Sequence, residues 1–145
     1  MLNPGCGVGG HCISVDRWFI VDSANGKAKI IEQARRTNDY KADWVIEKIK
    51  SAVFSFKEEF KTDPKISCMG LVFKPDIDDL RESPALYVAK EIYKSSQKCM
   101  IVEPNISVHD FFDLTNLKQA VTLCDIIVIL VKHDEFKSLF LNENQ

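Results

Sequence analysis

Residues 66–102 read ISCMGLVFKPDIDDLRESPALYVAKEIYKSSQKCMIV, and this stretch decides the fold. Its opening, residues 66–73, is apolar but for Ser67, the pattern of a strand covered on both faces. Residues 83–95 then carry apolar positions at helical spacing, with Ser83 placed to cap a helix and Pro84 at its first position. Residues 98–102 (KCMIV) are a second strand. Downstream the alternation continues: a helix over 114–123, a third strand over 125–131 (DIIVILV) and the start of a third helix over 134–141. Strands separated by helix-length connections predict an α/β architecture with a parallel, doubly wound sheet. In such sheets ligands bind beyond the carboxyl ends of the strands. That rule singles out residues 74–81, 103–105 and 132–133.

Upstream of residue 64 the period changes. Ile30, Ile31, Ala34, Ala42, Val45, Ile49, Ala52, Val53 and Phe56 recur at spacings of three and four, which predicts one long helix over 28–57. Asn38-Asp39 dents the stripe, and Thr62-Asp63-Pro64 ends the segment. The stripe reads as core or as a seam for a partner helix, and Trp18 and Trp44 read as packing residues. Residues 1–12 (MLNPGCGVGGHC) are a glycine-rich loop with neither a basic n-region nor an apolar h-region, so a signal peptide is not expected there.

The 145 residues suit one ordinary domain with an appendage, and 46% apolar with 28% charged residues predicts a packed core. A net charge of −2 gives no electrostatic case for nucleic acid or an anionic membrane, so an anionic ligand must be met by a few local Lys and Arg side chains. No run approaches the roughly 20 apolar residues of a membrane helix. The five cysteines are odd in number and lack metal-ligand spacing. Cys68, Cys99 and Cys124 sit in or beside apolar runs as small hydrophobes, and the set points to a reducing, cytoplasmic compartment.

Two places could carry chemistry. Gly9 and Gly10 permit close backbone approach to a ligand, and Cys12 after them could be a nucleophile. Asp16, four residues on, would share its face if a helix starts at Cys12 and could accept a proton. A structural glycine turn before a buried Cys is the simpler reading of the spacing alone. The loop is neither a Walker loop, since no Lys-Ser/Thr follows, nor a dinucleotide fingerprint, since no strand precedes it. Lys74 and Arg81 stand among acidic residues after the first strand, where they could meet phosphates or merely form surface ion pairs. His11 beside Cys12 is a weaker nucleophile–base candidate, because adjacent side chains rarely point together. His133 could touch a ligand or cap a strand, and His109 is a plain loop residue.

Taken together these motifs resemble the UDP-glucose/GDP-mannose dehydrogenase family, most of all its UDP-N-acetylmannosamine (HexNAc) 6-dehydrogenase branch. Asn3-Pro4-Gly5-Cys6-Gly7-Val8-Gly9-Gly10-His11-Cys12-Ile13 with Val15-Asp16 resembles the catalytic loop. Residues 70–76 (GLVFKPD) and 79–85 (DLRESPA) resemble the opening of the C-terminal domain, and Val102-Glu103-Pro104-Asn105 with 125–136 (DIIVILVKHDEF) completes the likeness. The resemblance implies a central helical segment with the cysteine loop over 1–63, the long helix serving dimerisation, and a Rossmann-like UDP-sugar domain over 64–145.

The resemblance also implies NAD-dependent oxidation of the C6 alcohol of a UDP-sugar to a carboxylate, for polysaccharide synthesis. Cys12 matches the nucleophile, Asp16 the carboxylate that assists proton transfer, Gly9 and Gly10 the substrate-side loop, Lys74 a UDP-sugar-binding lysine and Arg81 an arginine near NAD. The chain departs from the pattern at Cys6 and Arg17, where the branch usually has Pro. The family's NAD-binding domain lies outside these residues, as do its catalytic lysine and asparagine and its last strand. The expectation is therefore that this chain alone is inactive, paired as a homodimer and completed by a separate N-terminal half. The alternatives are a non-catalytic piece that only binds UDP-sugar or dimerises, and another nucleotide-binding enzyme that uses Cys12 differently.

Overall fold

A computed structural model describes residues 5–96 and 98–139. Three parallel strands, β1 (Ile66–Met69), β2 (Cys99–Val102) and β3 (Ile126–Ile129), pair in the order β2-β1-β3. Side chains of a strand alternate between faces, and the core divides accordingly. Ile66, Cys68 and Ile101 join one cluster, while Met69 and Val102 join the other. Helix α3 (Pro84–Ser95) covers the first face with Val88, Ala89 and Ile92, and α4 (Leu117–Leu123) covers the second with Ala120. The expected α/β, doubly wound arrangement is present, and the switch in strand order falls between β1 and β3.

Helix α2 (Lys29–Phe60) packs Ala42, Ile46 and Ile49 onto the outer side of α3. Its 32 residues extend about 48 Å at the usual rise. It outlasts the expected 28–57 by three residues and stops where Lys61 turns left-handed, at φ 54°, with its N–H on the Lys57 carbonyl. A short helix α1 (Asp16–Ser23) precedes it. No helix among the described residues is long and apolar enough to cross a membrane.

Several boundaries differ from the sequence reading, each for a physical reason. The first strand was expected to reach Phe73 but ends at Met69. Gly70 adopts φ +86°, and a Cβ there would meet Val131 at 2.7 Å, so the chain leaves the ladder while its residues stay apolar. The third strand ends at Ile129 rather than 131, with the Leu130 and Val131 N–H groups both aimed at the Met69 carbonyl. The second helix begins at Leu117, not 114: Leu114 forms a bridge to Ile101, Thr115 donates to Ile101, and Asn116 caps Gln119 N–H at 2.9 Å. In place of a third α-helix over 134–141 there is a 3-10 turn, Asp134–Ser138, and residues 140 and 141 lie outside those described.

Cys68 is fully buried as expected, but Cys99 and Cys124 are only half-buried, and all five cysteines are free thiols. The hydrogen bond with Cys99, together with burial, pushes the Cys68 thiol up, and burial pushes Cys124 up to about 11. Neither has the environment of a nucleophile.

The glycine loop docks onto the sheet domain. Asn38, the dent in the stripe, accepts the Val8 N–H at 2.9 Å, and Arg35 donates to the Val8 carbonyl at 3.2 Å. The loop then lies on the turn after β1. A Cβ on Gly9 would come within 2.4 Å of the Glu82 carbonyl oxygen and 2.7 Å of Phe73 Cβ, and one on Gly10 within 3.0 Å of the Phe73 ring. By contrast, nothing lies within 4 Å of a Cβ on Gly5. Gly9→Ala is therefore expected to destabilise the chain by about 1–3 kcal/mol through overpacking, and Gly5→Ala by no more than about 0.5 kcal/mol. Urea unfolding midpoints of the two variants check the contrast.

Candidate functional site

The turn between β1 and α3 is the centre of the site. After Gly70, the N–H groups of Leu71 and Val72 find no strand partner and instead point at Oε2 of Glu103, at 2.6 and 3.3 Å. Glu103 follows β2 and is buried. The same oxygen faces Nε2 of the wholly buried His133 at 3.3 Å, while Oε1 accepts the Asn105 N–H at 3.0 Å. Nδ1 of His133 lies 3.0 Å from the Asp76 N–H and 2.9 Å from Asn105 Nδ2. Two donors on Nδ1 place the imidazole proton on Nε2, toward Glu103. Asp76 in turn accepts the Asp134 N–H at 2.8 Å. The carboxyl ends of all three strands are thus tied to one turn.

Lys74 sits within that turn. It is exposed and makes no ion pair or hydrogen bond among the described residues. Pro75 after it disfavours helical backbone at Lys74. At the far side of the turn Arg81 lies bidentate on Asp79, with Nε and Nη2 within 3.1 Å of the carboxylate. This pairing pulls the Asp79 carboxyl down to about 2 and raises the guanidinium. Ser83 closes the turn as the sequence predicts. Its Oγ accepts the Leu86 N–H and donates to the Leu71 carbonyl at 2.6 Å, so one hydroxyl caps α3 and pins the turn's start.

The cysteine loop comes to this turn through Gly10. Its N–H donates to the Arg81 carbonyl at 3.2 Å, and a Cβ on it would meet the ring of Phe73, the residue before Lys74. Cys12 follows two residues later, exposed, and near enough to contribute to the raised pKa of Arg81. The Asp16 N–H donates to the Cys12 carbonyl at 2.9 Å, so a single turn separates the exposed thiol from the carboxylate that opens α1. The buried Ser14 hydroxyl donates to the Gly10 carbonyl and braces that turn.

Of the expected site residues, Gly10 bonds the Arg81 backbone and Gly9 lies on Phe73 and Glu82, while Cys12, Asp16 and Lys74 share no hydrogen bond or ion pair with one another's side chains among the described residues. Gly9 and Gly10 are buried against protein, so their bareness is needed by the docking itself. His11 is exposed and shares no hydrogen bond with Cys12 among the described residues. Cys6 tucks into the core, its Sγ 3.5 Å from the Leu130 carbonyl, and burial raises its pKa. His109 accepts the Phe111 N–H within its own loop. Trp44, read as a packing residue, is instead exposed on α2 with Lys41 3.6 Å above its ring.

Reading the sequence did not find Arg35, noticed Asn38 only as a dent in the stripe, and marked Asp76 only as part of the charged stretch after the first strand. Glu103 and His133 were marked only by their places at strand ends. An acid and an imidazole at the carboxyl ends of two strands were the available signal. Among the described residues no group of three His, Cys, Asp or Glu side chains could hold a metal ion. A groove of about 530 Å³ lies between α2, α3 and the amino ends of the strands, opposite Lys74. Lys74 and Cys12 are themselves both exposed.

Comparison with known proteins agrees with this geometry. Residues 67–144 match the UDP binding domain of the UDP-glucose/GDP-mannose dehydrogenase family, and residues 1–40 match that family's central domain. The UDP-N-acetyl-D-mannosamine dehydrogenase of Campylobacter jejuni is 46% identical over 94% of the chain and 34% of its own length. The NDP-N-acetyl-D-galactosaminuronic acid dehydrogenase of Ralstonia solanacearum is 44% identical over 96% of the chain and 33% of its own length. The solved UDP-D-ManNAc dehydrogenase of Pyrococcus horikoshii superposes with a TM-score of 0.76 at 32% identity, over 95% of the chain and 32% of that structure. The chain thus spans about a third of the length of the relatives it matches. With the turn that bears Lys74 inside one matched domain and the loop that bears Cys12 inside the other, the chain belongs to the UDP-glucose/GDP-mannose dehydrogenase family.

Proposed function

We propose that the chain supplies the cysteine loop and the UDP-sugar-binding domain of an NAD-dependent nucleotide-sugar 6-dehydrogenase. The docking of the Cys12 loop on the Lys74–Arg81 turn carries this reading, because it brings a nucleophile to a nucleotide-binding surface. The relatives, named for N-acetylated hexosamine derivatives, favour UDP-N-acetylmannosamine as substrate, with the uronate product used in polysaccharide synthesis in the cytoplasm. Residues 1–63 form the catalytic-loop and helical segment in this proposal, and 64–145 the UDP-sugar domain.

In the proposed chemistry Lys74 holds the UDP portion, and Gly9 and Gly10 shape the loop beside the sugar. NAD+, held in part by Arg81, would supply the hydride acceptor, one NAD+ for each of the two oxidations. Arg81 fits a neighbouring anionic group, since one edge of its guanidinium is taken by Asp79 and Nη1 has no partner among the described residues. The C6 alcohol is first oxidised to the aldehyde. The Cys12 sulfur attacks that aldehyde carbon to give a thiohemiacetal, whose loss of hydride leaves a thioester. Water then cleaves the C–S bond, releasing the carboxylate and regenerating the thiol. Asp16 assists proton transfer, passing on to solvent the hydroxyl proton lost with each hydride and the proton given up by the attacking water.

A polypeptide of these residues alone is proposed not to turn over, and an NAD-binding domain, on the same or a separate chain, completes it. Helix α2 is proposed to pair two copies over 28–57. Ile30, Tyr40, Trp44 and Phe54 leave its outer surface apolar, with Ile30 87% and Phe54 66% exposed, which is more than a lone helix face normally shows to water.

Calorimetric titration with UDP is expected to show saturable binding, weakened roughly tenfold or more by Lys74→Ala, a charged contact being worth about 1.5–3 kcal/mol. A well-folded chain that takes up no UDP contradicts the assignment. In sedimentation equilibrium the chain is expected to be a dimer that Trp44→Glu with Phe54→Glu converts to monomer, and a wild-type monomer would remove the α2 pairing.

A further inference from the structure

Lys74 projects from a turn whose two flanks are held by the same buried pair. Val72, two residues before it, donates to Glu103, and Asp76, two residues after it, donates to His133. Asp76 is left-handed at φ 61°, a strained conformation for a residue with a side chain. It persists because its N–H is held by His133 and its carboxylate by the Asp134 N–H. Burying an acid and an imidazole to join strands is not the most stable solution for a core, since apolar residues of like volume commonly do as well or better. The pair does something apolar side chains cannot: it presents fixed acceptors to the backbone on both sides of Lys74.

We propose that Glu103 and His133 are positioning residues for nucleotide binding, holding the 71–76 turn so that Lys74 is presented to UDP without a further ordering cost. The inference rests on the reading of Lys74 as the UDP contact. It assigns His133 a specific duty, the acceptor for the Asp76 N–H, and Glu103 the duty of orienting His133 while gripping Leu71 and Val72. Neither side chain touches the ligand. Preorganised binding groups gain affinity because the entropy of ordering is not lost on association.

The test uses three substitutions of the whole chain that divide the imidazole's two roles. Asn at 133 can place an oxygen near the position of Nδ1 and keep the acceptor for Asp76. Gln can place an N–H near the position of Nε2 and keep the donor to Glu103. Phe keeps bulk and neither function. Each variant is titrated with UDP, and its amide hydrogen exchange is followed by NMR, with Met69 and Val102 as internal references for the sheet. His133→Phe and His133→Gln are expected to lose roughly tenfold or more in UDP affinity and the protection of the Asp76 amide, while Met69 and Val102 stay protected. His133→Asn is expected to retain both properties.

Wild-type affinity and Asp76 protection in a folded His133→Gln or His133→Phe variant would overturn the proposal. So would equal losses in His133→Asn, since a merely structural histidine penalises all three replacements alike. Failure of the wild-type chain to bind UDP overturns the reading of Lys74 and this proposal with it. The two failures are distinct, because Lys74→Ala still weakens binding roughly tenfold or more in a chain where only the positioning role is absent.

Discussion

A carboxylate removed from water must find donors or lose several kcal/mol, and Glu103 finds four: the N–H groups of Leu71, Val72 and Asn105, and Nε2 of His133. These donors come from the ends of all three strands. The ladder of β1 can therefore stop at Gly70 without orphaning the next two amides. Had they remained in the ladder, residues 71–76 would have continued as strand and Lys74 would not sit on a turn. The position of the proposed nucleotide contact follows from where one buried acid collects its hydrogen bonds.

The second constraint is steric and joins the two matched segments. Val8 is clamped to α2 by Asn38 and Arg35, while Gly9 and Gly10 lie flush on Phe73, Glu82 and Pro84. Because α2 also packs on α3, the loop is held from two sides by elements that share a core. Cys12 is thereby exposed on a firmly anchored loop. Such a placement suits the nucleophile proposed above, because substrate must reach the thiol and a covalent adduct must later meet water.

The sheet was legible because residues 66–69, 99–102 and 126–129 are apolar at consecutive positions, Ser67 excepted, as strands covered on both faces tend to be. The ends of the strands were not, since Leu71, Val72, Leu130 and Val131 are as apolar as the strand residues and differ only in where their N–H groups go. Leu114 looked helical from its neighbours but pairs with Ile101. Asn38 looked like a flaw in a helix, because its partner is a loop 30 residues earlier. Spacing could not choose between a structural and a catalytic reading of Cys12, or between surface pairing and ligand contact for Lys74 and Arg81. The resemblance of two long motifs in the right order is what favours the roles proposed for them. His133 illustrates the general limit: a buried imidazole is recognised by its partners, and those lie 28 and 57 residues away.

The central claim is that the Cys12 loop and the turn at 71–83 form one nucleotide-sugar surface. Chemical-shift mapping of the isotope-labelled chain with added UDP tests it most directly. The account predicts shifts confined to amides of residues 9–16 and 71–83 and the neighbouring strand ends. Shifts centred instead on the groove beside Ile49, Lys57 and Lys98, with residues 71–83 unmoved, would contradict it.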